Sequence, residues 1–197
     1  MVASKEIRWF FDHENKQISD WFASKNCKFE TTKPRTDYYK KLHQDNLSIK
    51  LREGNVEVKE RIGKGVRKQI GKLANGYFEN WAKWSFNVNT DDAESKNIIF
   101  NHDQEWIDVL KSRIGLKVIL DQNGNYQFLP ISDRVDYGCQ IEYTRIQTKG
   151  KIVYTFGLEW FGDIFIEIEP ILIDAIIGNS ILGHLESFGY SEFLNRL

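Results

Sequence analysis

Lys50, Arg52, Lys59 and Arg61 sit at every second position of two short runs in which apolar and polar residues alternate, 47–52 and 56–62. A strand repeats every two residues, so the alternation puts all four cations on one face. Such a face suits an anion. A two-residue turn at Gly54-Asn55 would set Lys50 opposite Lys59, Arg52 opposite Glu57 and Ser48 opposite Arg61. Like charges directly across a ladder destabilise it, and an anion held between them would reverse the sign. Carboxylates add a second chemistry. Glu167 and Glu169 share a strand face by their spacing, and Glu142 accompanies Arg145. Paired carboxylates are hard oxygen ligands suited to Mg²⁺ or Mn²⁺. The same pattern also describes the wet face of a half-covered sheet.

Charge is unevenly spread along the chain. Residues 33–72 carry 12 Lys and Arg against 5 Asp and Glu, while residues 157–197 carry 7 acids and 1 Arg. The net charge is only -1. A basic middle and an acidic end are either two solvated faces or two halves of one site, cations for an anion and carboxylates for a metal.

The elements that would position these groups are mostly strands. Residues 6–11 alternate as a strand, with Glu6, Arg8 and Phe10 on one face. Ile18, Trp21 and Phe22 have helical spacing within 14–25. Residues 31–36 read as loop and 37–42 as a strand. The hairpin 47–62 follows, then a basic glycine-containing loop over 63–76 and an aromatic strand over 78–88. Residues 89–97 read as a polar, mobile loop. Trp106, Val109 and Leu110 predict a helix over 103–114. Strands are predicted at 116–120 and 126–131, joined by a turn at Asn123-Gly124, and again at 139–147, 152–160 and 163–169. The apolar stripe over 170–189 predicts a helix interrupted near Gly178, with a last turn at 191–197. Eight or nine strands with about three helices, joined mostly by short connections, predict an α+β domain over 1–197. Its centre would be a closed or nearly closed antiparallel barrel of about eight strands with flanking helices.

Several classes are excluded. Hydrophobic residues make up 41 % of the chain and aromatics 14 %, enough for a core and too much for disorder. The apolar run 171–177 contains Asp174 and is too short to span a bilayer. No apolar leader opens the chain, so a cytoplasmic location without a membrane partner is expected. Cys27 and Cys139 form no CxxC, and the four histidines show no ligand spacing. Gly63-Lys64-Gly65 lacks the third glycine of a dinucleotide fingerprint, the 65–72 run misses a phosphate loop by one residue, and no GxSxG elbow exists.

Taken in order, the motifs resemble the CYTH superfamily, the triphosphate tunnel metalloenzymes. Glu6-Ile7-Arg8 stands where that family has its ExExK strand, and Asp37-Tyr38-Tyr39 is similar to the strand that follows. Lys50-Leu51-Arg52 resembles the RxR strand, and Glu57 to Arg61 the strand with the tunnel lysine. Thr144-Arg145 is similar to a later phosphate-binding arginine. Gly157-Leu158-Glu159, Gly162 and Glu167-Ile168-Glu169 resemble the closing strands, and residues 189–194 the last helix.

The resemblance implies an eight-stranded tunnel. In it Lys50, Arg52, Lys59, Arg61 and Arg145 hold phosphate oxygens, while Glu6, Glu167 and Glu169, with Glu142 or Glu159, hold Mg²⁺ or Mn²⁺. Known members hydrolyse thiamine triphosphate or inorganic tripolyphosphate, or cyclise ATP. This chain departs from the pattern in its first strand, where Arg8 replaces the second glutamate and Phe10 the lysine. Arg8 has no lone pair for a metal. It would pair with a glutamate or bind phosphate itself, which implies weaker metal dependence. The expected ligand is a small molecule bearing a triphosphate or polyphosphate, and the expected reaction is hydrolysis of a phosphoanhydride. A non-catalytic anion binder on the same fold is the alternative. A nucleic-acid module using the 33–72 stretch is the least favoured.

Overall fold

A computed structural model describes residues 2–88, 91, 93–100 and 105–197. Its strands are β1 (Val2–Phe11), β2 (Arg35–Lys40), β3 (Leu47–Arg52), β4 (Asn55–Gln69), β5 (Asn75–Asn87), β6 (Trp106–Leu120), β7 (Tyr126–Pro130), β8 (Gly138–Thr148) and β9 (Lys151–Phe161). Its helices are α1 (Lys16–Ser24), α2 (Ala93–Phe100), α3 (Pro170–Ile177) and α4 (Tyr190–Asn195). All strand pairings are antiparallel, in the order β2-β3-β4-β5-β1-β9-β8-β6, and β2 pairs with β6 to close the ring. The result is the expected barrel of eight strands in an α+β domain, with β7 as an extra strand. β6 can serve both β2 and β7 because its first half pairs with β2 and its last five residues with β7.

Each wall strand has two different faces. Outward residues of β1, β8 and β9 (Ile7, Trp9, Ile141, Tyr143, Phe156, Leu158) form a core with Ile18 and Phe22 of α1 and Ile173, Ile176 and Ile177 of α3. Asn15 caps α1 by accepting from the Ile18 amide, and its own N–H donates to the Tyr143 hydroxyl at 2.7 Å. These helices seal one side of the barrel wall, and burying each large apolar side chain there contributes about 1.5–3 kcal/mol.

The inward faces divide along the barrel axis. At one end Phe10, Tyr39, Ile107, Val109, Ile146 and Val153 meet Phe193 and Leu194 of α4. Phe10 stacks between Phe188 and Phe193, with centroids 4.8 and 4.6 Å away. The C-terminal segment therefore plugs that end.

Several sequence-based expectations are corrected. The β3–β4 turn is Glu53-Gly54, with φ of 47° and 79°, so Arg52 pairs with Asn55 and Lys50 faces Glu57 rather than Lys59. The slip is two residues, so every side chain keeps its face. The glycine-containing loop is largely strand: β4 runs on to Gln69 past an irregularity at 62–66, where Gly63 takes a φ of 74°. Residues expected as a helix over 103–114 belong to β6 from Trp106 onward, while 103 and 104 lie outside the described residues. Of the polar loop, 89, 90 and 92 also lie outside them, and Ala93 opens α2. Residues 163–169 pair with no strand. They cross the outer wall, held by Trp160 Nε1 donating to the Ile166 carbonyl and by the Tyr126 hydroxyl donating to the Glu167 carbonyl. After Gly178 the chain does not resume an α-helix until Tyr190.

Candidate functional site

Above the apolar plug the barrel encloses a cavity of about 110 Å³, lined by eight cationic side chains and five carboxylates. With every group ionised, that is a surplus of three positive charges inside a closed wall. β1 supplies Glu6 and Arg8, β2 Arg35, Asp37 and Tyr39, β3 Lys50 and Arg52, and β4 Glu57 and Lys59. β5 supplies Trp81 and Lys83, β6 Lys111 and Arg113, β8 Glu142 and Thr144, β9 Glu159, and α4 Tyr190 and Ser191. Strand alternation alone brings them together: each strand but β9, which gives only Glu159, turns two or three successive inward positions to the same level.

The floor of the cavity is charge-paired. Arg8 donates to Glu142 at 2.8 Å, and Arg113 reaches the same carboxylate at 3.3 Å. Burial alone would raise the Glu142 pKa; Arg8 and Arg113 outweigh it and hold it at about 2. Gly157 lies directly across from Arg8, and a Cβ there would come within 2.9 Å of the guanidinium carbon, so the bare backbone is what lets Arg8 lie flat. Lys111 pairs with Asp37 at 3.0 Å and donates to the Tyr39 hydroxyl at 2.7 Å. Burial lowers the Lys111 pKa to about 7 against the pull of Asp37. Asp37 is held far below the carboxylate range, because Lys111, Lys50 and Arg35 outweigh its burial. Thr144 Oγ1 and Ser191 Oγ are buried here without a hydrogen-bond partner among the described residues.

The upper level is less balanced. Glu57 takes both Lys50, at 3.0 Å, and Arg52. Glu6 and Glu159 are cross-strand partners that share Lys59, which contacts Glu6 and lies 3.6 Å from Glu159. Burial and the neighbouring Glu159 push the Glu6 carboxyl up, while the two glutamates hold the Lys59 ammonium above its usual value despite its burial. Lys83 has no carboxylate within ion-pair distance among the described residues, and it sits directly across the ladder from Lys59. The like-charge pair expected at Lys50 and Lys59 thus exists one strand further on. The aromatic faces are already covered: Lys50 and Lys111 lie over Tyr39, Lys59 over Trp81, and Arg8 over Tyr190.

Of the residues expected at a site, the cavity contains Glu6, Arg8, Lys50, Arg52, Lys59, Glu142 and Glu159. Arg8 is therefore inside the barrel, not on its outer surface. Four others are elsewhere. Arg61 is on the inward face of β4 but one step further along, paired with Glu79 and bordering a separate cleft that also touches Ser187 and Arg196. Arg145 is outward on β8 and stacks on Phe29. Glu167 and Glu169 are exposed on the segment that crosses the outer wall. Arg35, Asp37, Glu57, Lys83, Lys111 and Arg113 were missed as site residues. Alternation from Tyr39 could have found Asp37 and Arg35, and alternation from Trp81 could have found Lys83. Lys111 and Arg113 lay hidden in the expected helix.

Among the described residues no group of three or more His, Cys, Asp or Glu side chains converges as a metal-holding set. The carboxylates nearest that role, Glu6 and Glu159, converge on an ammonium instead. Compared with protein-family models and with curated protein sequences, the chain matches none.

Proposed function

We propose that this protein binds a small molecule bearing a triphosphate or polyphosphate inside the barrel, and that with Mg²⁺ or Mn²⁺ it hydrolyses a phosphoanhydride bond. The observation that carries the reading is the surplus of cationic over acidic side chains within a closed wall, with Lys83, opposite Lys59, in no ion pair within 4 Å among the described residues. A phosphate chain supplies the missing negative charge and several oxygens for charge-assisted hydrogen bonds. Lys50, Arg52, Lys59 and Lys83 hold its oxygens at the upper level, with Arg35 and Arg113 beside them. The order of sequence motifs that resembles the CYTH superfamily supports the same reading.

Glu6 and Glu159 are the carboxylates to hold a divalent ion. A hard ion takes six or more oxygens, so two carboxylates fit it only together with phosphate oxygens and water. Drawing Lys59 toward phosphate would release both carboxylates. When bound, the metal would neutralise charge developing on the transferred phosphoryl group. Positioning by the cations carries the rest. A non-catalytic anion binder is the second reading, and the capture of Glu142 by Arg8 and Arg113 favours it.

Thermal melting tests the binding. Tripolyphosphate should raise Tm more than orthophosphate at equal ionic strength, through preferential binding to the folded state. Arg52→Ala should reduce the rise without unfolding the protein. Equal shifts, or none, would refute a polyphosphate site. Phosphate release from a panel of triphosphates with Mg²⁺ and Mn²⁺ separates the two readings.

A further inference from the structure

The outer wall carries a second cationic feature that the cavity does not use. Lys5 on β1 faces outward and lies over two rings, 5.2 Å from the Phe78 centroid and 4.6 Å from that of Phe165. Lys68 on β4 lies over the same Phe78 ring at 5.6 Å. Neither ammonium has a carboxylate within 4 Å among the described residues. Partial burial, and after it the neighbouring Lys68 ammonium, lower the Lys5 pKa. Around them stand exposed apolar side chains. Val66 is the cross-strand partner of Phe78. Ile62 lies in the same row as Lys5, with Asn80 between them, and Ile164 adjoins Phe165. Ile62, Val66, Ile164 and Phe165 are each more than half exposed.

We propose that this face docks on an anionic lipid bilayer, with Ile164, Phe165 and Val66 entering the interfacial layer and Lys5 and Lys68 meeting lipid phosphates. Apolar side chains ringed by cations are the pattern of interfacial binding, and each lysine near such a surface strengthens partitioning about fivefold. A bilayer fits better than a peptide because the outside of a closed barrel is convex. The cavity in the barrel and the cleft beside Arg61 are lined by other residues. Asp163 is the one acid in the 162–165 turn, and Glu60 stands two positions from Ile62 on the same face of β4. Peripheral docking needs no spanning segment, and no helix among the described residues is long and apolar enough to cross a membrane.

Co-sedimentation with large unilamellar vesicles tests this. The whole protein should partition at least tenfold more strongly onto vesicles of phosphatidylcholine and phosphatidylserine (70:30) than onto phosphatidylcholine alone, and should be released by 0.5 M salt. Lys5→Glu with Lys68→Glu should cut partitioning at least twenty-fivefold, and separately Phe165→Ser about tenfold, each with unchanged Tm. Val66→Ser, at a position 54 % exposed, should also lower partitioning and gives an independent reading should either variant fold poorly. Arg52→Ala should partition as the parent does, which separates this face from the barrel cavity. Failure to sediment with anionic vesicles would overturn the proposal. So would loss of sedimentation in Arg52→Ala alone, or competition by millimolar phosphoserine, both of which would assign headgroup capture to the cavity. Equal displacement by soluble polyglutamate with no response to Phe165→Ser would assign the face to an acidic protein instead.

Discussion

The two levels of the barrel interior are built by the same strands and differ in everything else. In β1, Glu6 and Arg8 belong to the charged level and Phe10 to the plug. In β6, Arg113 and Lys111 are charged, and Val109 and Ile107 are apolar; in β8, Glu142 gives way to Ile146. The plug is apolar and held by packing, whereas the cavity is held by opposed charges that need one another. Position along the barrel axis, not the face of the strand, decides which kind of side chain is tolerated. The apolar plug closes the barrel from below, and the surplus of cations above it is the charge that the proposed anion would balance.

Removing one partner from each level should break the contrast most sharply. Glu142→Ala leaves Arg8 and Arg113 facing each other, with Arg8 buried, and should cost about 3–5 kcal/mol in urea unfolding. Tripolyphosphate should then stabilise the variant more than the parent, since an anion can replace the lost carboxylate. Phe193→Ala should cost a similar amount, about 3–5 kcal/mol, through a cavity in the plug. Here no anion should restore it. Rescue of both variants, or of neither, would show that the two levels do not differ as described.

The pH response is a smaller effect that reports on the floor. The Lys111 amine titrates at about 7 in the folded protein against a usual 10.5. Between those values the unfolded chain holds a proton that the folded one lacks, so this group makes stability rise with pH from about 7 to 10.5. Lys111→Met should flatten that rise in melts taken from pH 6 to 10. Glu142 acts in the opposite window. Its folded pKa of about 2 lies below the usual 4.5, so its contribution is present above 4.5 and lost as pH falls toward 2. The smallest effect belongs outside the cavity: Arg145→Ala should leave tripolyphosphate affinity within twofold in equilibrium titration.

Much of the barrel was legible because strands announce themselves by alternation. The β3–β4 hairpin shows how far that goes. Its faces were right and its register was not, since the turn places Glu53, a residue without glycine's freedom, at positive φ. β6 shows the opposite failure. Ile107, Val109, Lys111 and Arg113 share one inward face, but the charged half above the plug breaks the apolar alternation. Trp106, Val109 and Leu110 then mimic a helix. A cavity that inverts polarity midway along a strand defeats hydrophobic periodicity where the site is built. Glu167 and Glu169 mislead for another reason: their spacing is that of a strand, but no neighbouring strand is there to pair with. The surplus charge of the cavity is not visible in a net charge of -1 and emerges only when the wall closes.

The most direct test is calorimetric titration of tripolyphosphate into Lys83→Ala beside the parent. Lys83 makes no ion pair within 4 Å among the described residues, and Glu57 and Glu159, whose charges it favours from further off, keep Lys50, Arg52 and Lys59, so its removal leaves neither acid without a partner and the lost affinity belongs to the ligand. One site per chain is expected in the parent, with affinity lowered about tenfold or more in the variant, the loss of one charge-assisted contact. Unchanged affinity in Lys83→Ala, or the same loss in Arg145→Ala, would contradict the claim that the anion is held by the cations facing into the barrel.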